Sequence, residues 1–128
     1  MTADDYRGLA LALHGAIESA HMGHPDFRVN GRIFATLLAD EQWGVVMVTP
    51  DEQRELMRLH PRMFVPAAGA WGRQGCTKVR LDAADEATVR GALTLAWENK
   101  AAKPPSRGAA KPARRNRARQ SRKSPPRR

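Results

Sequence analysis

The chain has 128 residues, a formal charge of +9 and one cysteine, a length that allows one domain and a cysteine count that excludes an internal disulfide framework. The charge is divided: Met1 to Asn99 holds ten basic and thirteen acidic residues, Lys100 to Arg128 twelve basic and no acidic ones, so +9 is −3 plus +12. The longest strongly apolar stretch, Trp43 to Val48, is far short of the ~20 residues of a spanning helix and the opening MTADDYRG is acidic where a secretion signal is basic, so a soluble protein of a reducing cytoplasm, without membrane contact, is expected.

The first predicted element is a short helix: Thr2 is an N-cap with Asp5 three residues on, and Tyr6, Leu9 and Leu13 recur at helical spacing up to a break at Gly15. Phe27 to Val29 and Arg32 to Leu38 read as strands around Asn30-Gly31, the preferred pair for a two-residue hairpin because both positions need positive φ. That loop sets Val29 opposite Arg32, Arg28 opposite Ile33 and Phe27 opposite Phe34. A second hairpin through Asp40-Glu41 leads to the β-branched run Trp43 to Val48.

Thr49-Pro50-Asp51-Glu52 places a capping hydroxyl, an N1 proline and two acids at one helix start, and Pro61 stops that helix at His60. Met63 to Val65 is a short strand, AAGAWGRQG a Gly-rich loop, and Thr77 to Leu81 an alternating strand with Val79 and Leu81 inward, Lys78 and Arg80 outward. Asp82 or Asp85 opens a last helix with Val89, Leu93, Ala96 and Trp97 as its apolar stripe. The expected fold is α+β: a two-layer sandwich, an antiparallel sheet with helices on one face.

Residues 1–100 form the domain, and 101–128 read as a disordered arm of Lys, Arg, Pro, Ala, Ser and Gly with no aromatic or branched aliphatic residue to bury.

The segments HMGHPDFRVNGRIFATL, WGVVMVTPDEQRELM, PAAGAWGRQG and VRL resemble the MmcQ/YjbR-like family of small bacterial proteins, whose fold is similar to the frataxin or CyaY-like sandwich. The resemblance spans roughly Asp4 to Trp97 and rests on Gly23, Pro25, Phe27, Val29, Gly31, Phe34, Ala35, Pro50, Trp71, Gly72, Val79 and Leu81. It implies the same fold and a DNA-binding label given on structural analogy. Arg32 stands where the family often has Lys, and His14 near where it often has Pro. The frataxin iron ridge is not implied, since Asp4, Asp5 and Glu18 are the only acids in the corresponding region.

The strongest functional feature is the arm. Lys103, Arg107, Lys111, Arg114, Arg115, Arg117, Arg119, Arg122, Lys123, Arg127 and Arg128 are candidate phosphate contacts, and guanidinium groups pair with phosphate in a bidentate fork. Lacking aromatic residues and groove-reading elements, the arm is expected to bind nucleic acid, DNA more than RNA, without sequence preference. The alternative for it is a solubilising extension with no dedicated partner.

Lys78 and Arg80 on the open sheet face, with Arg73, Arg28 and Arg32, are candidates for a supporting basic patch, although Asp26, Asp40, Glu41 and Asp82 are close in sequence and a merely solvated face is the preferred reading. Trp71, Arg73 and Gln74 form a candidate ligand loop for a small molecule or a protein, its glycines allowing close backbone approach. The preferred reading there is that Trp71 folds back and plugs the core edge. His21, His24 and Asp26 suggest a weak metal pattern better explained as polar hairpin residues, and Cys76 reads as a small filler rather than a nucleophile. No phosphate-binding or dinucleotide fingerprint is present, so no cofactor, metal or catalysis is expected.

Overall fold

The computed structural model describes residues 1–102. Helix α1 (Ala3–Leu11) begins at the expected capping box: Thr2 Oγ1 accepts from the Asp5 N–H and Asp5 Oδ2 from the Thr2 N–H, each at 3.0 Å. Four strands follow, β1 (Ile17–His21), β2 (His24–Val29), β3 (Arg32–Leu37) and β4 (Trp43–Met47), then α2 (Pro50–Leu59), β5 (Phe64–Pro66), α3 (Gly69–Arg73), β6 (Cys76–Arg80), a 3₁₀ turn and α4 (Glu86–Ala101). The second capping box is present as well, with Thr49 Oγ1 and Glu52 Oε1 satisfying each other's backbone N–H, and α2 stops with His60 as its C-cap. Asp85, not Asp82, caps α4 through the Thr88 N–H.

The six strands form one antiparallel sheet in the order β1-β2-β3-β4-β6-β5. The α+β sandwich is thus as expected, with α4 across β2, β3 and β4, α1 against α4 and β4, and α2 on β5 and β6. The core joins Tyr6, Phe27, Phe34, Leu37, Val46, Phe64, Val79, Val89 and Leu93. Gly44 is what lets α1 approach: a Cβ there would lie 2.5 Å from Cζ of Tyr6, whose hydroxyl donates to the Val45 carbonyl at 2.9 Å.

Two expectations are corrected, and one strand is added to those expected. Ile17–His21 is a strand, paired with β2 through a Met22-Gly23 loop with φ of +50° and +85°. The Asn30-Gly31 hairpin keeps Val29 opposite Arg32 and Arg28 opposite Ile33, but a β-bulge then sets Phe27 opposite Ala35 instead of Phe34. The extra residue lets Phe34 and Ala35 both enter the core, and it turns Leu37 inward while Thr36 faces out. Finally, AAGAWGRQG is not a loop throughout, because Gly69–Arg73 closes a helical turn. Gly72 has no room for a side chain, since a Cβ would meet the Ala67 carbonyl oxygen at 1.9 Å. Gln53 of α2, buried, fixes this corner by donating to the carbonyls of Gly72 and Cys76 and to Thr77 Oγ1 at 3.0–3.1 Å.

Candidate nucleic-acid interface

Cross-strand pairing orders the helix-free face. Ser19, Asp26, Thr36, Val45, Lys78 and Val65 form one row across the sheet, and Trp43 stands opposite Arg80 in the next. Strand alternation therefore puts Lys78 and Arg80 on the side away from the core, as expected. The pairing of β4 with β6 adds a partner that sequence reasoning did not assign: Lys78 Nζ lies 4.3 Å and Arg80 Cζ 4.5 Å from the Trp43 ring centroid. Such contacts are worth about 0.5–1 kcal/mol at exposed sites and orient the cations without using up their N–H donors. Among the described residues the salt bridges lie elsewhere, so neither the half-buried Lys78 nor the exposed Arg80 is bonded to a carboxylate.

Arg28 is on the same face but in a different electrostatic state. Its Nε and Nη2 donate to the two oxygens of Asp26 at 2.8 and 3.0 Å, and His21 Nδ1 lies 2.8 Å from Asp26 Oδ2. The Arg28 bond holds the fully buried Asp26 carboxyl below its ordinary range against the opposing effect of burial, with His21 assisting. Reciprocally, the Asp26 bond raises Arg28. The charge of Arg28 is thus cancelled locally, and three strand spacings, roughly 14 Å, separate it from β6.

The other two candidate cations do not join either. Arg32 pairs with Val29 and so shares the core-facing side of the hairpin tip. Arg73 ends α3, and the length of β6, about 14 Å at 3.4 Å per residue, lies between it and Arg80. The structure therefore brings together Lys78 and Arg80, with Trp43, and leaves Arg28, Arg32 and Arg73 apart. Lys103, Arg107, Lys111, Arg114, Arg115, Arg117, Arg119, Arg122, Lys123, Arg127 and Arg128 lie outside the described residues.

Trp71 does not plug the core. Its side of α3 faces outward and the residue is 68% exposed, with Arg73 and Gln74 exposed beside it. The turn is anchored instead by Gly72 and by Gly75, at φ +111° against the Val48 carbonyl. A shallow cleft of about 380 Å³ lies beside Trp43 and Arg80, lined also by Thr2, Gln42, Glu41 and Asp82. The Glu41 and Asp82 carboxylates there are balanced by Arg80 and the Met1 ammonium, which donates to the Leu81 carbonyl at 3.2 Å.

His21, His24 and Asp26 do come together, with the imidazoles edge to face at 4.9 Å, but as an ion-pair cluster closed by Arg28. Among the described residues no group of His, Cys, Asp and Glu has the arrangement to hold a metal. Cys76 Sγ is 3.3 Å from Met47 Sδ, and burial pushes its thiol pKa up, which reduces the thiolate fraction. That fits the filler reading.

An antiparallel sheet with helices on one face and a cation–aromatic cluster on the other defines the chain as a small α+β sandwich protein. The YjbR family model matches residues 11–99, well over half of the 128 residues, and the chain belongs to the YjbR family. Its fold is similar to that of the Deinococcus radiodurans protein DR2400, a DUF419 domain, with a TM-score of 0.63 and 22% identity over 75% of each chain. No curated protein matches.

Proposed function

We propose that this protein is a non-catalytic, cytoplasmic DNA-binding protein of the bacterial nucleoid. The observation that carries the reading is the run from Lys100 to Arg128, with twelve cations, eight of them Arg, and no acid. Phosphate neutralisation by this segment supplies affinity, while Lys78 and Arg80, held by Trp43, add a fixed point on the sheet face. Among the described residues no helix is long and apolar enough to cross a membrane. The test is a titration against duplex DNA, single strands and RNA across salt concentrations. Engagement of about half the cations gives a log–log slope of roughly −5 on duplex, from about −0.9 per phosphate. Binding indifferent to salt contradicts the proposal.

A second reading is favoured by one observation, the 68% exposure of Trp71. An indole held outward on a glycine-anchored turn beside Arg73 and Gln74 suits docking of a small molecule or a protein. Loss of ligand-induced fluorescence quenching in Trp71→Phe, with DNA affinity unchanged, distinguishes it.

A further inference from the structure

The two edges of the sheet are protected differently. The β5 edge is three residues long and closes on Pro66, a guarded edge. The β1 edge presents Ile17-Glu18-Ser19-Ala20-His21 with neither proline nor lysine, and its first four residues are exposed. Among the described residues, three of the five large exposed apolar side chains belong to its surroundings: Ile17 at 59%, Met22 at 90% in the adjoining loop, and Leu11 at 38%. Leu11 is one helical turn beyond Arg7, which reaches Glu18 of β1.

We propose that β1 pairs with β1 of a second copy, joining two sheets into one of twelve strands. The backbone fixes which residues can pair. In a two-residue hairpin the residues flanking the loop exchange both backbone bonds, so His21–His24, Ser19–Asp26 and Ile17–Arg28 are the hydrogen-bonded pairs. Glu18 and Ala20 therefore turn their N–H and C=O groups outward. A two-fold axis through Ser19 sets Glu18 against the partner's Ala20 in both directions, which makes four backbone hydrogen bonds, and it leaves Ser19 facing the partner's Ser19 as a close non-bonded pair. The two-fold match between the outward Glu18 and Ala20 groups selects a second copy as the occupant, and avoidance of like charge excludes the neighbouring register. A register centred on Glu18 would oppose two carboxylates, whereas here each Glu18 meets an Ala and arrives neutralised by its own Arg7 at 3.1 Å. Ile17 then lies across from the partner's His21, covering apolar area that is exposed in the single chain.

The pairing puts both open faces on one side. It sets the two Lys78–Arg80 clusters some nine strand spacings apart, roughly 43 Å, and doubles the number of basic segments per particle. The contact is small, at the low end of interface sizes, so a weak, concentration-dependent dimer is expected.

Sedimentation of the full chain in salt high enough to suppress nucleic-acid carry-over tests this. The mass should rise from 14.2 kDa toward twice that value as concentration reaches hundreds of micromolar. Ser19→Lys, an exposed position on the axis, should weaken association by roughly tenfold or more through like charges directly opposed. Ala20→Pro should do the same by removing an outward donor that the β1–β2 ladder does not use. A chain that stays at 14.2 kDa throughout overturns the proposal, as does a dimer unaffected by Ser19→Lys. If Ala20→Pro fails to fold, Ser19→Lys decides alone. None of these outcomes bears on DNA binding by a single chain.

Discussion

Gly44→Ala tests how the sheet carrying the cation–aromatic cluster is held against α1. On backbone grounds the change should help, because φ at Gly44 is not in the left-handed region and Gly to Ala at a compatible site gains about 0.4–1 kcal/mol. The packing reverses the sign. The new methyl would stand 2.5, 2.6 and 2.8 Å from Cζ, Cε1 and Oη of Tyr6, a ring that is fully buried and tied by its hydroxyl to Val45. Overpacking costs about 1–3 kcal/mol, and displacing the hydroxyl from its carbonyl adds about 1 kcal/mol. The net expectation is a loss of about 2–3 kcal/mol, or a fall in Tm of roughly 10–20 °C for a domain of this size. Thermal melts followed by circular dichroism measure it. In a Tyr6→Ala background the clash is gone, so the same substitution should cost almost nothing. A Gly44→Ala protein melting within about 2 °C of wild type would refute the close approach of α1.

Asp26→Asn should cost about 1–3 kcal/mol by weakening charge-assisted bonds to Arg28 and His21. The Asp26 pKa is depressed in the folded state, so its stabilisation is fully present above the ordinary carboxylate value of 3.8 and is lost as pH falls through the folded value; urea melts should show the mutant and wild type converging below about pH 4. Lys78→Ala and Arg80→Ala should each reduce the magnitude of the salt slope on duplex DNA by about one contact and leave the melt within about 1 kcal/mol, whereas Arg28→Ala should destabilise the fold without altering the slope, because its charge is already spent on Asp26. Trp71→Ala should leave the Tm nearly unchanged, since the residue is 68% exposed; a loss of several degrees would restore the core-plug reading. These melts and filter-binding curves need only single substitutions.

The parts of the fold that were legible in the sequence are those fixed by local chemistry. Thr2 with Asp5 and Thr49-Pro50-Asp51-Glu52 fix two helix starts within the reach of one turn, and Asn30-Gly31 fixes a hairpin because both residues adopt positive φ. The β1 strand escaped because Ile17 is its one large apolar residue and it lies on an edge, where no burial imposes alternation. The bulge escaped because the turn sets a register but not its continuation, and placing Phe34 and Ala35 both in the core is a tertiary demand. The glycines of AAGAWGRQG signalled a loop, yet Gly72 serves close backbone contact inside a helical turn. For the site, outward placement of Lys78 and Arg80 followed from alternation alone. Their meeting with Trp43 did not, since α2, β5 and α3 intervene in sequence before β6 returns to β4. The neutralisation of Arg28 by Asp26 was hidden in the same way, because Asp26 looked like a general negative influence and not a bidentate partner.

Under the proposed function, nucleic-acid affinity resides in the segment following α4. A chain ending at Ala102 keeps the α4 C-cap and the Asn30 Nδ2 bond to the Ala101 carbonyl at 3.1 Å, so its melt should match that of the full chain. Its duplex DNA affinity at physiological salt should fall by roughly 10³-fold, and its salt slope should shrink to the roughly two contacts that Lys78 and Arg80 supply. If the shortened chain binds duplex DNA as tightly as the full one, with the same slope, the affinity belongs to the folded domain and not to the segment after α4.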